Sequence, residues 1–366
     1  MRCSRRIEFL VVGGGPAGSA AAMALAAAGR EVVVVERTNY CGPRVGETLP
    51  PAANPILARL GLKDFLATAS CLHCPGTICS WGRPDPYVND FLFDPDGAGL
   101  HLDRGAFDAA LAAKAVEAGA EVLVGCEVRS CIQGECGWKV ETAGPREDRQ
   151  FLVSTLIDAA GRRPWLGRPS RRLAFDLQVA LVGMFEINGC GHAVDRRTWI
   201  EAACSGWWYS ASIPDKRLVV AYFTDADLLH APIGNRSALW ESLLRQTYMT
   251  GHRLRGTHPL CDLRVVGASS TIADPIVRAG YVAVGDAACT IDPLSSQGIL
   301  DALISGLDAA KALVDPNRTQ AVRLYAKRIA AGFRDDLRTR QQFCRSEGRW
   351  PDSPFWRRRA TRVPPW

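Results

Sequence analysis

The chain has 366 residues, 47% hydrophobic and 22% charged, enough apolar material to bury one large α/β unit or two domains, which excludes a disordered protein. Its 13 cysteines are odd in number and scattered, which excludes a secreted disulfide framework and points to a reducing, cytoplasmic setting. The net charge of +6 is local: between Arg338 and Trp366 eight arginines stand against Glu347 and Asp352, and no nucleic-acid reader motif surrounds them.

At the start, SRRIEFL followed by about twenty uncharged residues has the outline of an export signal or an anchor, but Gly and Ala dominate that run and a Gly-Gly-Gly-Pro interrupts it. No other stretch is long and apolar enough to span a bilayer, so no membrane span is expected. IEFLVV predicts a buried strand, GGGPAG leads into the Ala-rich helix SAAAMALAAAGR, and EVVVVE is a second buried strand. These form a β-turn-α-β unit. Gly13, Gly15 and Gly18, with Pro16 and Ala17 between them, fit the dinucleotide fingerprint, in which the glycines permit a tight turn, close approach of backbone to pyrophosphate, and helix-on-strand packing. Glu36 ends the second strand, where a carboxylate accepts hydrogen bonds from a ribose, and Arg37 follows it.

GETLPPAANPILARLGL predicts a loop and then a helix. LDRGAFDAALAAKAVEAGAEVLVGCEV predicts an amphipathic helix and a strand, with Arg104 near the helix start to face a phosphate. KVET and FLVSTLIDAAGR predict strands, the second ending at Asp158 and Gly161. From about Arg163 to Ala273 the alternating runs VALVGMFEI, GWWYSASIP and RLVVAYFTD read as an antiparallel sheet interrupted by one helix, LWESLLRQTYM. GYVAVGDA returns to the buried parallel style, and QGILDALISGLDAAKALV is a long helix. The expected organisation is a discontinuous dinucleotide domain over 1–165 and 274–315. An antiparallel substrate domain covers 166–273 with part of 66–100, and a C-terminal helix with a basic tail covers 316–366. Asp286 comes back to the first domain at a strand's carboxyl end, where ligands bind in open α/β sheets.

Together, GGGPAG with Glu36, LDRGAFD with Arg104, and GDAACTIDPLSSQG resemble the superfamily of FAD-dependent aromatic monooxygenases and flavin-dependent halogenases. The resemblance implies an α/β fold like p-hydroxybenzoate hydroxylase: a Rossmann-like FAD-binding domain, an inserted antiparallel-sheet substrate domain and a helical C-terminus. It further implies that Gly285 and Asp286 close the FAD site, with Asp286 on the ribitol. Gly298 and Ile299 would then open a helix pointing its N-terminus at the isoalloxazine. VGETLPP resembles the family's loop beside the flavin, and GWWYSASIP the strand on which halogenases carry Trp-x-Trp-x-Ile-Pro. EGRWPDSPFWRRR resembles the tail of a subgroup that includes flavoproteins maturing tryptophan-derived quinone cofactors in a partner protein. There is no second GxGxxG after a strand, so reduction is expected from transiently bound NAD(P)H or from reduced flavin delivered by a separate flavin reductase, with O2 as co-substrate.

Three activities use such a scaffold. Halogenases resemble one another in a catalytic lysine on the strand after the GE loop, yet no lysine occurs between Lys63 and Lys114, and His73 lies roughly in its place. Aligning on Ile213-Pro214 puts Tyr209 and Ala211 where halogenases have two indoles. Ser295, Ser296 and Glu47 do resemble a halide-side loop and its carboxylate, which keeps a flavin-dependent halogenase as the alternative. A hydroxylase needs an oxygenating flavin shielded from water, a bound aromatic ring and a base, for which Glu47 and His73 are candidates. Trp81, Trp207, Trp208 and Tyr209 are candidate walls, although Trp207 and Trp208 must face opposite sides of their strand. A prenyl-type flavin reductase is a further alternative, but the insertion is rich in Trp, Tyr and Arg. A role for FAD as a mere structural element is the non-enzymatic reading. Cys71, His73, Cys74 and Cys79 have no second pair to complete a metal site, so none is expected. The expectation is therefore an FAD-dependent monooxygenase hydroxylating an electron-rich ring, on a small indole or phenol or on a tryptophan side chain of a partner protein. In the protein-substrate case Arg357, Arg358 and Arg359 beside Pro-Phe-Trp would dock the partner; otherwise they form a solvated end.

Overall fold

The computed structural model describes residues 4–42, 44–135, 137–145, 147–163, 165, 167–187, 195–229 and 236–360. Strand Arg5–Val12 lies inside a parallel sheet of order Tyr281–Ala283, Arg149–Asp158, Arg5–Val12, Val32–Glu36 and Glu121–Val124. Val32–Glu36 is buried from end to end, as suits a valine run in a parallel sheet covered on both faces. Val12 lies opposite both Val35 and Asp158, and Asp158 lies opposite Ala283. This register brings the turns that follow these strands to one carboxyl edge, the ligand side of an open α/β sheet. Helix Pro16–Ala27 begins on a proline, whose missing N–H is no loss in a first turn. It packs against helix Gly298–Val314 through Gly306, where a Cβ would lie 2.2 Å from the Ala17 carbonyl oxygen.

A second sheet runs Thr257–Pro259, Gln178–Ile187, Arg217–Asp225, Gly206–Ile213, Thr198–Ala203, Gly76–Ser80, Tyr87–Asp90. Its pairings are antiparallel except that of Thr198–Ala203 with Gly76–Ser80, which is parallel. The alternation read from sequence separates two cores rather than core from solvent. Trp207, Val219, Ala221 and Phe223 face Trp81, Phe355 and Trp356 on one side. Trp208, Val220 and Tyr222 pack with Leu181, Phe185 and Trp240 on the other. A small sheet joins Thr48–Leu49, Gly99–Leu102 and Cys71–Cys74, and its leucines pack with Phe107, Leu111 and Leu303.

Two expectations need correction. The single helix expected over LWESLLRQTYM is two: Arg236–Leu244 and Met249–Arg253. The buried Glu201 carboxylate accepts the N–H groups of Tyr248, Met249 and Thr250 at 2.8, 3.1 and 2.7 Å, and this side-chain cap from another element starts the second helix. The basic cluster is a solvated end only in part, since Arg357 and Arg358 are exposed, and the aromatic residues beside it are not a docking patch. Phe355 and Trp356 are 0% and 2% exposed, and Arg359 is 4% exposed. Arg359 Nη2 donates to Asp225 Oδ1 at 2.6 Å and to Gln178 Oε1 at 2.8 Å, and Arg358 Nη2 donates to Asp227 Oδ2 at 2.6 Å. The cause is Asp225, a carboxylate buried at a strand end that needs a cation. Residues 361–366 of the tail lie outside the described residues.

The described cysteines are free thiols. No helix among the described residues is long and apolar enough to cross a membrane. Arg359→Ala removes the buried partner of Asp225 and leaves it only the half-exposed Arg358, whose Nη1 donates to Oδ2 at 2.9 Å, so it is expected to cost about 1–3 kcal/mol, read as a lower urea midpoint. Arg357 is exposed, and Arg357→Ala is expected to leave that midpoint unchanged.

Candidate functional site

The site begins at the carboxyl edge of the parallel sheet. Gly13 has φ +107, and a Cβ there would meet the Ala159 carbonyl oxygen at 2.4 Å; a Cβ on Gly18 would meet the Gly13 carbonyl oxygen at 1.9 Å. Gly15 differs, since nothing lies within 4 Å of where its Cβ would be. Two glycines are thus required by the protein's own packing, and the third faces open space above a helix start with no side-chain cap. This is the cradle a pyrophosphate needs: bare N–H groups and nothing in the way. The residues present therefore fit FAD, whose pyrophosphate Gly15 and the Pro16 turn would hold. Ala17 lies inside, 6% exposed.

Glu36 is buried. Its Oε2 accepts from Gly14 N at 2.8 Å and its Oε1 from Thr38 N at 2.9 Å, so the carboxylate is already fixed at the strand end. Arg37 is exposed beside it. Asp286 receives Arg162 Nε at 3.0 Å, and Arg172 Nη2 donates to its carbonyl. Arg162 escaped the sequence reading, although it directly follows the Asp158 to Gly161 turn at the same edge. Gly285 has φ +54, and a Cβ there would meet Ala17 Cβ at 2.7 Å. Gly298 is exposed and Ile299 buried at the uncapped start of helix Gly298–Val314. In the preceding turn Asp292 Oδ1 accepts from Leu294 N at 3.0 Å, Ser295 is exposed, and Ser296 is left-handed with φ 54.

Arg104, at the start of helix Arg104–Glu117, turns its guanidinium to neighbouring protein groups. Its Nη1 donates to the carbonyls of Val45 and Gly46 at 3.2 and 2.6 Å, while its Nε and Nη2 bind Asp108, each at 3.2 Å. It fastens the loop that carries Glu47. Glu47 is 2% exposed. Its Oε1 accepts from Tyr209 Oη at 2.7 Å and its Oε2 from Gly46 N at 2.9 Å. Burial pushes the Glu47 carboxyl above its ordinary range, against the smaller opposing pulls of Tyr209, the backbone amides and Arg104. Thr48 Oγ1 lies 2.5 Å from Tyr209 Oη, so the phenol can accept from Thr48 while it donates to Glu47. The Tyr209 phenol is itself pushed well up, by burial first and then by the Glu47 charge.

His73 is exposed on the edge strand Cys71–Cys74. Among the described residues the buried histidine is His101, opposite Thr48 and Leu72, with Nε2 at 3.0 Å from Thr198 Oγ1. Burial, then the charge of Arg253, lowers its pKa to about 3, so it is neutral near pH 7. It was missed because GLHL reads as one more apolar strand. Trp207 and Trp208 are 2% and 0% exposed, core residues rather than pocket walls. Among the described residues no cluster of His, Cys, Asp and Glu suits a metal ion. Two surface hollows lie elsewhere: one of about 610 Å³ between helices Gly298–Val314 and Arg318–Ser346, and one of about 280 Å³ lined by Ile78, Trp199 and Tyr248. Both are shallow surface features, and neither includes Glu47 or the glycine turn; the fixed polar groups outweigh hollow size in locating the site.

A family model described as tryptophan halogenase matches residues 8–94. LodB of Marinomonas mediterranea, named as an FAD-dependent oxidoreductase, is 32% identical over 359 residues, 96% of this chain and 96% of its own. Tryptophan 2-halogenase of Chondromyces crocatus is 26% identical over 85% of this chain, and the match spans 61% of that enzyme. Among solved structures, the myxobacterial chondrochloren halogenase CndH matches with a TM-score of 0.88 at 24% identity, covering 97% of this chain and 86% of that one. The peptidyl tryptophan dihydroxylase QhpG, essential for tryptophylquinone cofactor biogenesis, matches with a TM-score of 0.77 at 24% identity, covering 97% and 79%. These two likenesses are likenesses of fold.

A Cβ on Gly15 has nothing within 4 Å, so Gly15→Val is expected to keep the parent's far-UV circular dichroism while added FAD keeps its free fluorescence; quenching equal to the parent's would contradict the cradle. Asp301, in the first turn of helix Gly298–Val314, is raised from 3.8 to about 7 by burial and then by Asp336 and Asp286. The folded state therefore holds this proton longer than the unfolded chain, so the stability it contributes is complete below pH 3.8 and lost as pH rises to about 7. Asp301→Asn is expected to flatten that decline in urea midpoints measured across the same range.

Proposed function

Because the chain belongs to the family of flavin-dependent halogenases and related FAD-dependent oxidoreductases, and is itself an FAD-dependent oxidoreductase, we propose that it hydroxylates an electron-rich aromatic ring, an indole above all. The observation that carries this reading is the Tyr209 to Glu47 hydrogen bond of 2.7 Å. Tyr209 stands where the halogenase signature has its first indole, and it ties down the carboxylate of the loop beside the flavin. No lysine lies between Lys63 and Lys114 to guide a hypohalous acid. Bound FAD, reduced by NAD(P)H or by flavin from a separate reductase, supplies the activation of O2. Around it Gly13, Gly15, Gly18, Glu36, Arg162 and Asp286 bind and orient, while Arg104 holds the Glu47 loop in place.

Glu47 is the proton-transfer group in this reading. Burial brings its carboxyl nearer to the pH at which a base both takes and releases a proton, and Tyr209 keeps one oxygen oriented. His73 is too exposed to share the role in a water-excluding site. The likeness to a peptidyl tryptophan dihydroxylase supports an indole presented on a protein or peptide as the substrate class; Phe355 and Trp356, being buried, add no aromatic anchors for such a partner. Free thiols among the described cysteines support a reducing, cytoplasmic setting. Halogenation is the second reading, favoured by the tryptophan halogenase match over residues 8–94 and by the Ser295 and Ser296 loop.

The test supplies FAD, an NADH-driven flavin reductase, O2 and both chloride and bromide, with free indole or a tryptophan peptide, and weighs the products by mass spectrometry. Addition of oxygen is expected; a halogenated product overturns the hydroxylase reading. Glu47→Gln is expected to lower kcat by about 10²- to 10⁴-fold with FAD affinity retained.

A further inference from the structure

Four indoles form a row from the Glu47 region to the surface. Trp207 lies two residues from Tyr209 on the same strand and so on the same face. Tyr209 and Leu294, the latter from the turn that also carries Ser295, pack against the same cluster. From Trp207 the ring centroids step 6.4 Å to Trp81, 5.1 Å to Trp356 and 6.4 Å to Trp350. Trp207, Trp81 and Trp356 are 2%, 7% and 2% exposed, whereas Trp350 is half-buried and reaches solvent. The buried N–H groups are held: Trp81 Nε1 donates to the Phe343 carbonyl at 2.8 Å and Trp356 Nε1 to the Ala203 carbonyl at 3.0 Å.

We propose that this row is a hole-transfer path that drains stray one-electron oxidation from the Glu47 site to Trp350. It rests on the reading of that site as oxygen-activating. The oxidant is an oxygen-centred radical released when O2 reduction escapes the main reaction. It takes one electron from Tyr209, whose phenolic proton passes to the Glu47 carboxylate 2.7 Å away. Trp207 returns an electron to Tyr209, which recovers its proton from Glu47, and the electron deficit moves through Trp81 and Trp356 to Trp350. Carbonyl oxygens are poor bases, so the buried indoles keep their protons and the deficit stays mobile. At Trp350 the indole proton leaves to water, or a soluble thiol returns the electron. Arg349 lies 4.5 Å over the Trp350 ring, but its charge is offset by Glu347, which accepts at 2.7 and 2.6 Å. The opposite face supplies a control: Trp208 and Trp240 meet edge to face with centroids 4.8 Å apart, are 0% and 5% exposed, and belong to a separate cluster.

The experiment illuminates FAD-loaded, substrate-free protein with blue light, which turns the bound flavin into a one-electron oxidant. Flavin loading is verified by absorbance. Indole radical absorption and, after aerobic illumination, the residue carrying added oxygen in peptide mass spectrometry are read. Product at Trp350 is expected in the parent and in Trp240→Phe. It is expected to be lost in Trp81→Phe and in Trp356→Phe, which break different links and guard against one variant failing to fold, with product moving to Trp207 or Tyr209. Equal Trp350 oxidation in both broken variants, no indole radical in flavin-loaded parent, or equal loss in Trp240→Phe overturns the path. Because no substrate is present, the outcome is separate from whether the enzyme hydroxylates or halogenates.

Discussion

Ala17 sits where distant parts of the chain come closest. A Cβ on Gly285 would lie 2.7 Å from its side chain, and a Cβ on Gly306 would lie 2.2 Å from its carbonyl oxygen. One residue on, Gly18 rides on the Gly13 carbonyl, where a Cβ would be 1.9 Å away. Contacts this short admit no methyl group, so helix Pro16–Ala27 is held between the first turn and the segment that follows the inserted sheet. Gly15, Glu36 and Asp286 share an edge because this packing closes. The entropy of closing so long a loop grows only slowly with its length, which makes the insertion thermodynamically tolerable.

The β-turn-α-β unit was legible because its signals are local: glycines in a turn, a proline at a helix start, and a valine run. Long-range pairings left no such trace. Tyr209 and Glu47 are 162 positions apart, and Arg359 and Asp225 are 134 apart. Each polar partner, read alone, looks like an exposed residue. The same cause split the helix expected over 239–249, where propensity was overridden by a carboxylate from another element. His101 was hidden differently, inside a strand buried at every position. The pairing of 76–80 with 198–203 had no local signature either.

At Glu47 the balance of forces is instructive. Arg104 comes to the neighbouring carbonyls rather than to the carboxylate itself. The cation thus stiffens the loop without neutralising the acid, and burial remains the largest influence on its proton. A direct ion pair would have left a permanently charged, chemically inert carboxylate. Spacing a cation one residue away gives rigidity and keeps the proton exchangeable.

The parallel pairing of Gly76–Ser80 with Thr198–Ala203 bears on modularity. Two strands that precede the insertion are stitched into its sheet, and Trp81 and the C-terminal helix complete one of its cores. The second sheet is therefore not a cassette with clean borders. A chimera that exchanged 166–273 alone would leave an edge of unpaired backbone and an open hydrophobic face. The sheet itself is sewn from two separate stretches of chain, 76–90 and 178–267, so a border drawn at 166 cuts through its hydrogen bonding.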